Sequence, residues 1–248
     1  MKVAIASASF DASLGAGELT QLEWLERCAS RLGADGIVFD SAHFPRTDPE
    51  YVAQLKKVAV DLGLVPLAIR EPRLLAPHFE ASACRQAIEL AAGLGALFVL
   101  TVLPPPGDVP PAAFVAAVSA AKAAIKTAKA VNVTLLAGVA PHTLGADVPA
   151  VRHFVKDVDS AWLRYALPAG ADRSSLGTRD RALVVTVDAA ADPDAVAELD
   201  ESARPWLLLT GEVSVERVGT LRRAAARKLL RSLLATEPVV TEPAVTEI

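Results

Sequence analysis

Cysteine is almost missing from this sequence: 248 residues carry only Cys28 and Cys84. The pair forms no CxxC motif, and each falls within a helical apolar pattern. Both therefore read as small buried hydrophobes rather than as a disulfide or a metal site. A reducing compartment fits that reading. Concentrated positive charge is also missing. The formal net charge is −4, and no run of Lys and Arg is long enough for a nucleic-acid-binding face. No segment approaches the roughly 20 apolar residues of a membrane span. The alanine-rich stretch from Ala112 to Ala130 is interrupted by Lys122, Lys126 and Lys129. The opening MKVAIASASF lacks the long apolar core and cleavage site of a signal peptide. The expectation is a soluble cytoplasmic protein with neither nucleic acid nor membrane as a partner.

What the sequence does have is apolar residues, 52% of the chain, enough for one large core. They fall into short runs that alternate with amphipathic stretches. Val3–Ser7 is the first strand. Leu22, Leu25, Ala29 and Leu32 then recur at the 3.6-residue period of a helix over Thr20–Leu32, which Gly33 ends. Ile37–Asp40 is the second strand. Asp48 and Pro49 sit in cap and first-turn positions of a helix whose inner stripe is Tyr51, Leu55, Val58 and Leu62. Leu64–Ile69 is strand three, Glu80–Leu94 a helix, and Leu97–Val102 strand four. A proline-rich loop, Leu103–Pro111, precedes the alanine-rich helix with its stripe of Phe114, Val118, Ala121, Ile125 and Ala128. Val133–Gly138 is strand five, and Asp147 with Pro149 starts a helix carrying Val151, Val155 and Val158. Strands six, seven and eight are Trp162–Leu167, Ala182–Asp188 and Trp206–Thr210. A polar connection from Ala171 to Arg181 holds one helical turn at most. A short helix runs from Asp192 to Leu199, and the last helix from Val213 to Leu234.

Eight strand–helix units across residues 1–235 predict an α/β fold, a single (β/α)8 TIM barrel. The strands are continuous apolar runs, as parallel strands buried on both faces require. The alternative is an open doubly wound sheet, which carries a glycine-rich phosphate loop after strand one. Here that stretch reads SASFDASLGAGELT, without GxGxxG, and its pair Gly15 and Gly17 is expected to sit in a loop before the first helix. Residues 236–248, TEPVVTEPAVTEI, have no helical period and are expected to form an extended tail.

Several segments resemble the xylose-isomerase-like barrels, the superfamily of sugar phosphate isomerases and epimerases. VAIASASF resembles their first strand. LGADGIVFD, Leu32–Asp40, is similar to the end of their first helix and second strand, GADGVEL. DPEYVAQLKKVAVDLGL resembles their second helix and its turn into strand three. RQAIELAAGLGA, Arg85–Ala96, resembles the helix before strand four, a run ending A-x-x-L-G-A. The resemblance implies a divalent cation, manganese or magnesium, held by two glutamates, an aspartate and a histidine at the C-terminal ends of strands. Such a metal polarises sugar oxygens while two carboxylates move a proton between carbons.

The matching positions here hold other residues. The strand-five motif L-x-L-E-N-H corresponds to TLLAGVAPH, which puts Gly138 at the glutamate. Leu167 falls at the strand-six aspartate. Strand seven, VVTVDA, has no histidine, and Asp188 is its nearest polar group. The last glutamate falls at Leu209 or Thr210, and the strand-two glutamate at Val38. The expectation is a barrel with no metal and no cofactor.

The remaining polar residues gather after the strands, where barrel enzymes keep their sites. Arg70 and Arg73 suit bidentate binding of a phosphate or carboxylate, or pairing with Glu71 at the surface. His43 and His142 suit acid–base work, or are solvated loop histidines. Asp188 and Asp40 either serve a site or cap their own turns. Glu212 follows strand eight and Arg46 strand two. No GxSxG is present and neither cysteine lies in a rim loop, so nucleophilic catalysis has little support. Two readings follow. One is a metal-free binding protein or pseudo-enzyme, with His43, Arg70 and Arg73 binding a small carbohydrate or related ligand. The other is an active sugar isomerase or epimerase whose manganese or magnesium site is rebuilt from Asp188, Glu212, His142 or Glu71. An endonuclease reading fails for want of ligands and of a basic face. The resemblance also implies a homodimer.

Overall fold

Valine, isoleucine and leucine fill the strands because both faces are covered, one by helices and the other by the barrel's own interior. The computed structural model describes residues 2–171, 182–188, 190, 192 and 206–224. Its strands are β1 (Val3–Ala6), β2 (Gly36–Asp40), β3 (Val65–Arg70), β4 (Phe98–Val102), β5 (Thr134–Gly138), β6 (Leu163–Pro168), β7 (Ala182–Asp188) and β8 (Trp206–Thr210). All pair in parallel in sequence order, and β1 closes on β8 through Val3↔Leu207 and Ile5↔Leu209. The chain is a single (β/α)8 barrel in which α/β alternation puts every strand's C-terminal end at one rim.

The helices are α1 (Asp11–Gly15), α2 (Gln21–Ser30), α3 (Pro49–Asp61), α4 (Ala81–Leu94), α5 (Pro110–Ala130) and α6 (Val148–Val158), and residues 215–224 are also helical. Local chemistry sets their ends. Thr20 and Glu23 form a reciprocal capping box on α2: Thr20 Oγ1 accepts from Glu23 N at 3.2 Å, and Glu23 Oε2 accepts from Thr20 N at 2.8 Å. The Thr20 N–H and then its hydroxyl, both donating to Glu23 Oε2, hold the Glu23 carboxyl below its ordinary value. Asp48 caps α3 and Asp147 caps α6, each ahead of a first-turn proline. Gly95 ends α4 in the left-handed region, φ 74°. No described helix is long and apolar enough to cross a membrane.

The core has two parts. A helix-facing layer takes Ile5, Trp24, Phe39, Leu55, Ile69, Phe154 and Leu209. The barrel interior takes the alternate residues: Ala4, Ala6, Val38, Leu67, Leu100, Leu136, Ala166, Val184 and Leu208. Its lower end is plugged by Trp206. A Cβ on Gly36 would lie 2.8 Å from Trp206 Cζ3 and 2.9 Å from the Val65 carbonyl oxygen, so only glycine fits. Among the described residues its upper end is lined by small side chains that leave a cavity.

Three elements depart from the sequence reading. Between β1 and Gly17 the chain forms a turn and a short helix that no sequence period announces: Ser7–Phe10 is a 3-10 turn that runs into α1. Phe10 and Leu14, one helical turn apart, pack on the core and hold it there. The buried stripe of α2 is Gln21, Trp24, Leu25 and Cys28, displaced from Leu22 and Ala29 because Trp24 has the largest surface to bury. Helix α5 starts within the proline run, since Pro110 and Pro111 occupy first-turn positions that need no intrahelical N–H bond. The connection 171–181, the short helix expected from Asp192 to Leu199, the last helix beyond residue 224 and the tail 236–248 lie outside the described residues.

Candidate functional site at the barrel mouth

The open end of the barrel contains a cavity of about 330 Å³. Small residues at the strand ends create it: Ala6 and Ala8 from β1 and the turn after it, Gly138 from β5, Ala166 from β6. Leu100, Val102 and Leu208 add apolar wall, and Thr186 and Thr210 face it from β7 and β8. Among the described residues Arg70, at the end of β3, is the one charged residue lining it.

Arg70 is held from behind. It donates from its NH1 group to Asp40 Oδ2, while Asp40 Oδ1 accepts from Ala42 N at 3.1 Å. Asp40 is 7% exposed and does not line the cavity, so the mouth meets the guanidinium and not its counter-ion. The Arg70 side chain keeps 40% of its surface open.

Behind this pair runs a polar chain that sequence reasoning missed. Asp40 N donates to Ser7 Oγ at 2.8 Å. Ser7 Oγ lies 2.8 Å from His43 Nδ1, and His43 Nε2 lies 2.8 Å from Asp11 Oδ1. With the proton on Nε2, the ring donates to Asp11 and accepts from the Ser7 hydroxyl, satisfying each group. A Ser–His–Asp order suggests a nucleophile, but Ser7 is 0% exposed and its oxygen is engaged twice. The chain ties β1 to β2. The His43 side chain is only 5% exposed, in contrast to the solvated loop histidine that its position suggests. The sequence signal was a serine directly after an apolar strand.

The other candidates are dispersed. Glu71 is buried beside the rim and accepts from Ser41 Oγ at 2.6 Å, Arg73 N at 3.0 Å and Arg73 Nε at 3.3 Å. Arg73 faces away from Arg70: it lines a separate 170 Å³ cavity and lies over the Phe79 ring. Asp188 Oδ1 accepts from Ala190 N at 2.7 Å, and its carboxylate lies against Gly211. His142 is exposed on the β5 loop with φ 60°, and Glu212 is exposed after β8. Arg46 pairs with Asp48 and lies over the Tyr51 ring. Cys28 is buried and its thiol is pushed up to about 12 by desolvation; burial, then Glu71, raises the half-buried Cys84.

The donor set does not fit a divalent cation. Val38 faces the interior below the mouth, Gly138 offers no side chain, and Leu167 and Leu209 point into the helix layer. The interior neighbours of the last two, Ala166, Leu208 and Thr210, supply one hydroxyl among them. Among the described residues no group of three or more His, Cys, Asp or Glu converges.

No protein-family model matches the chain, and no curated protein matches it. Solved structures do. The probable 3-DHS dehydratase AsbF of Bacillus anthracis aligns with a TM-score of 0.71 at 14% identity over 92% of this chain and 98% of its own. An L-ribulose 3-epimerase aligns with a TM-score of 0.69 at 18% identity over 97% and 99%. A xylose isomerase-like TIM barrel/4-hydroxyphenylpyruvate dioxygenase fusion protein aligns with a TM-score of 0.65 at 17% identity over 99% of this chain and 45% of the fusion. Identities this low carry the architecture and not the chemistry: the chain has the fold of the xylose-isomerase-like TIM barrels.

Proposed function

We propose that this protein is a metal-free member of that fold, a small-molecule-binding barrel or pseudo-enzyme that takes an organic acid of roughly carbohydrate size at its mouth. One observation carries the reading: among the described residues the cavity at the strand ends has a single charged lining residue, Arg70, with its guanidinium pinned by Asp40 and its remaining donors open. A cation, by contrast, would meet glycine, alanine, leucine and threonine there.

The test is metal content after purification without chelators, followed by thermal unfolding with manganese and with EDTA. The expected result is no bound metal and no shift in melting temperature. Near-stoichiometric metal, or a manganese-dependent rise, would sink the proposal.

The fold neighbours favour a second reading, an active isomerase or epimerase with a rearranged manganese or magnesium site. That reading draws on Glu71, His142, Asp188 and Glu212, which lie at or after the ends of four different strands, two of them already committed to local hydrogen bonds. A homodimer and a cytoplasmic location remain parts of the proposal; size-exclusion chromatography with light scattering tests the former.

A further inference from the structure

A sugar is covered with hydroxyl groups, and each one buried without a partner costs on the order of 1–3 kcal/mol. Sugar-binding pockets must therefore supply many polar atoms around the whole ligand. The mouth of this barrel supplies few. Among the described residues its polar side chains are Arg70 on one side, the buried Thr101, and the Thr186 and Thr210 hydroxyls on the other. The Thr210 hydroxyl is directed to the Val187 carbonyl, 3.4 Å away. Between them the wall is alanine, glycine, valine and leucine.

From this wall we infer that the ligand is an apolar-bodied carboxylic acid, with a compact aromatic or branched aliphatic body and one anionic end, rather than a polyol. The inference rests on the proposed reading of the mouth as the ligand site. The Arg70 guanidinium takes the carboxylate with the donors that Asp40 leaves open. The body packs between Ala6, Leu100, Gly138, Ala166 and Leu208, where burial of apolar surface supplies the affinity. Size agrees. At about 30 Å³ for each water-sized group, 330 Å³ holds on the order of ten non-hydrogen atoms. The small residues make the space: any larger side chain at Gly138 or Ala166 projects into it.

Four probes separate the two halves of the inference when measured by calorimetry on the full chain. Phenylacetate has the acid and the apolar body. Phenylacetamide keeps the body without the charge, D-gluconate keeps the acid on a polyol body, and D-fructose has neither feature. Phenylacetate is expected to bind at least about tenfold more tightly than the others, the loss of one charge-assisted contact being worth that much. Two variants supply controls. Arg70→Gln is expected to erase the preference for phenylacetate over phenylacetamide. Gly138→Leu is expected to abolish binding of both by filling the cavity. Its Cβ meets only ordinary contacts, the nearest the Thr101 carbonyl oxygen at 3.4 Å, so the variant should fold, as circular dichroism would verify.

Tighter binding of gluconate or fructose, lost in Gly138→Leu, would overturn the apolar-acid inference and leave the mouth as the ligand site. Probe affinities unchanged by both variants, or no binding of any probe, would overturn the mouth reading with it.

Discussion

Replacing Gly36 by alanine tests how the lower end of the barrel is closed. The new Cβ would stand 2.8 Å from Trp206 Cζ3, 3.2 Å from Trp206 Cη2 and 2.9 Å from the Val65 carbonyl oxygen. The backbone of Gly36 does not have a positive φ, so alanine accepts its conformation, and the cost is purely one of space. The Val65 oxygen belongs to β3, paired with Gly36 itself, and cannot retreat without breaking the sheet. Overpacking of this kind costs about 1–3 kcal/mol, and a fixed backbone neighbour puts it near 3. Loss of glycine's freedom in the unfolded chain returns about 0.4–1 kcal/mol. The net loss is about 2 kcal/mol, which lowers the melting temperature of a chain this long by roughly 4–8 °C. Denaturant and thermal unfolding followed by far-ultraviolet circular dichroism would measure it. The same change in a Trp206→Phe background should cost less, because the benzo-ring atoms in the clash are gone while the Val65 oxygen remains. A loss under about 0.5 kcal/mol, or an equal loss in both backgrounds, would refute the packing of Trp206 on Gly36.

Ser7→Ala removes the oxygen that ties the Asp40 amide to His43, orphaning a buried N–H, and is expected to cost about 1–3 kcal/mol in chemical denaturation. Thr20→Ala deletes the capping box of α2 and is expected to cost about 1 kcal/mol without altering ligand affinity, since α2 is not part of the mouth. Desolvation raises the Cys28 thiol from 9.0 to about 12, so the folded protein holds that proton more tightly than the unfolded chain does. Its contribution is fully present below pH 9 and is lost as pH rises towards 12, at up to about 1.4 kcal/mol per pH unit. Cys28→Ala should flatten that decline in urea titrations above pH 9, and an unchanged slope would contradict the burial. In the native protein at pH 8, a thiol reagent is expected to modify Cys84 and to spare Cys28 until unfolding.

The architecture was legible because its signals are local. β7 and β8 fall where the apolar runs Ala182–Asp188 and Trp206–Thr210 put them, and Asp48 and Asp147 cap the helices their prolines announce. Where the reading slipped, a large side chain or a neighbouring surface decided the outcome: Trp24 turned α2, and the core under Phe10 and Leu14 folded a stretch with no strong helical period. The site was harder to see. Arg70 and Arg73 look like one pair in sequence, but strand alternation sends the first inward and Glu71 draws the second outward. Ser7, Asp11, Asp40 and His43 meet across gaps of about 30 residues, which no short motif records. Leu167 and Leu209, matched to metal-ligand positions by resemblance, proved to face the helix layer, a one-residue offset that flips a strand side chain from one face to the other.

The wide space above Gly138 has an evolutionary meaning. A position blocked by its neighbours can be changed only together with them. Gly138 is not blocked: a side chain would meet only ordinary van der Waals contacts and then empty cavity. A carboxylate could be introduced on β5 by a single substitution, with no repacking to precede it. For this barrel, new chemistry at the mouth is a matter of a few point substitutions on an unchanged scaffold.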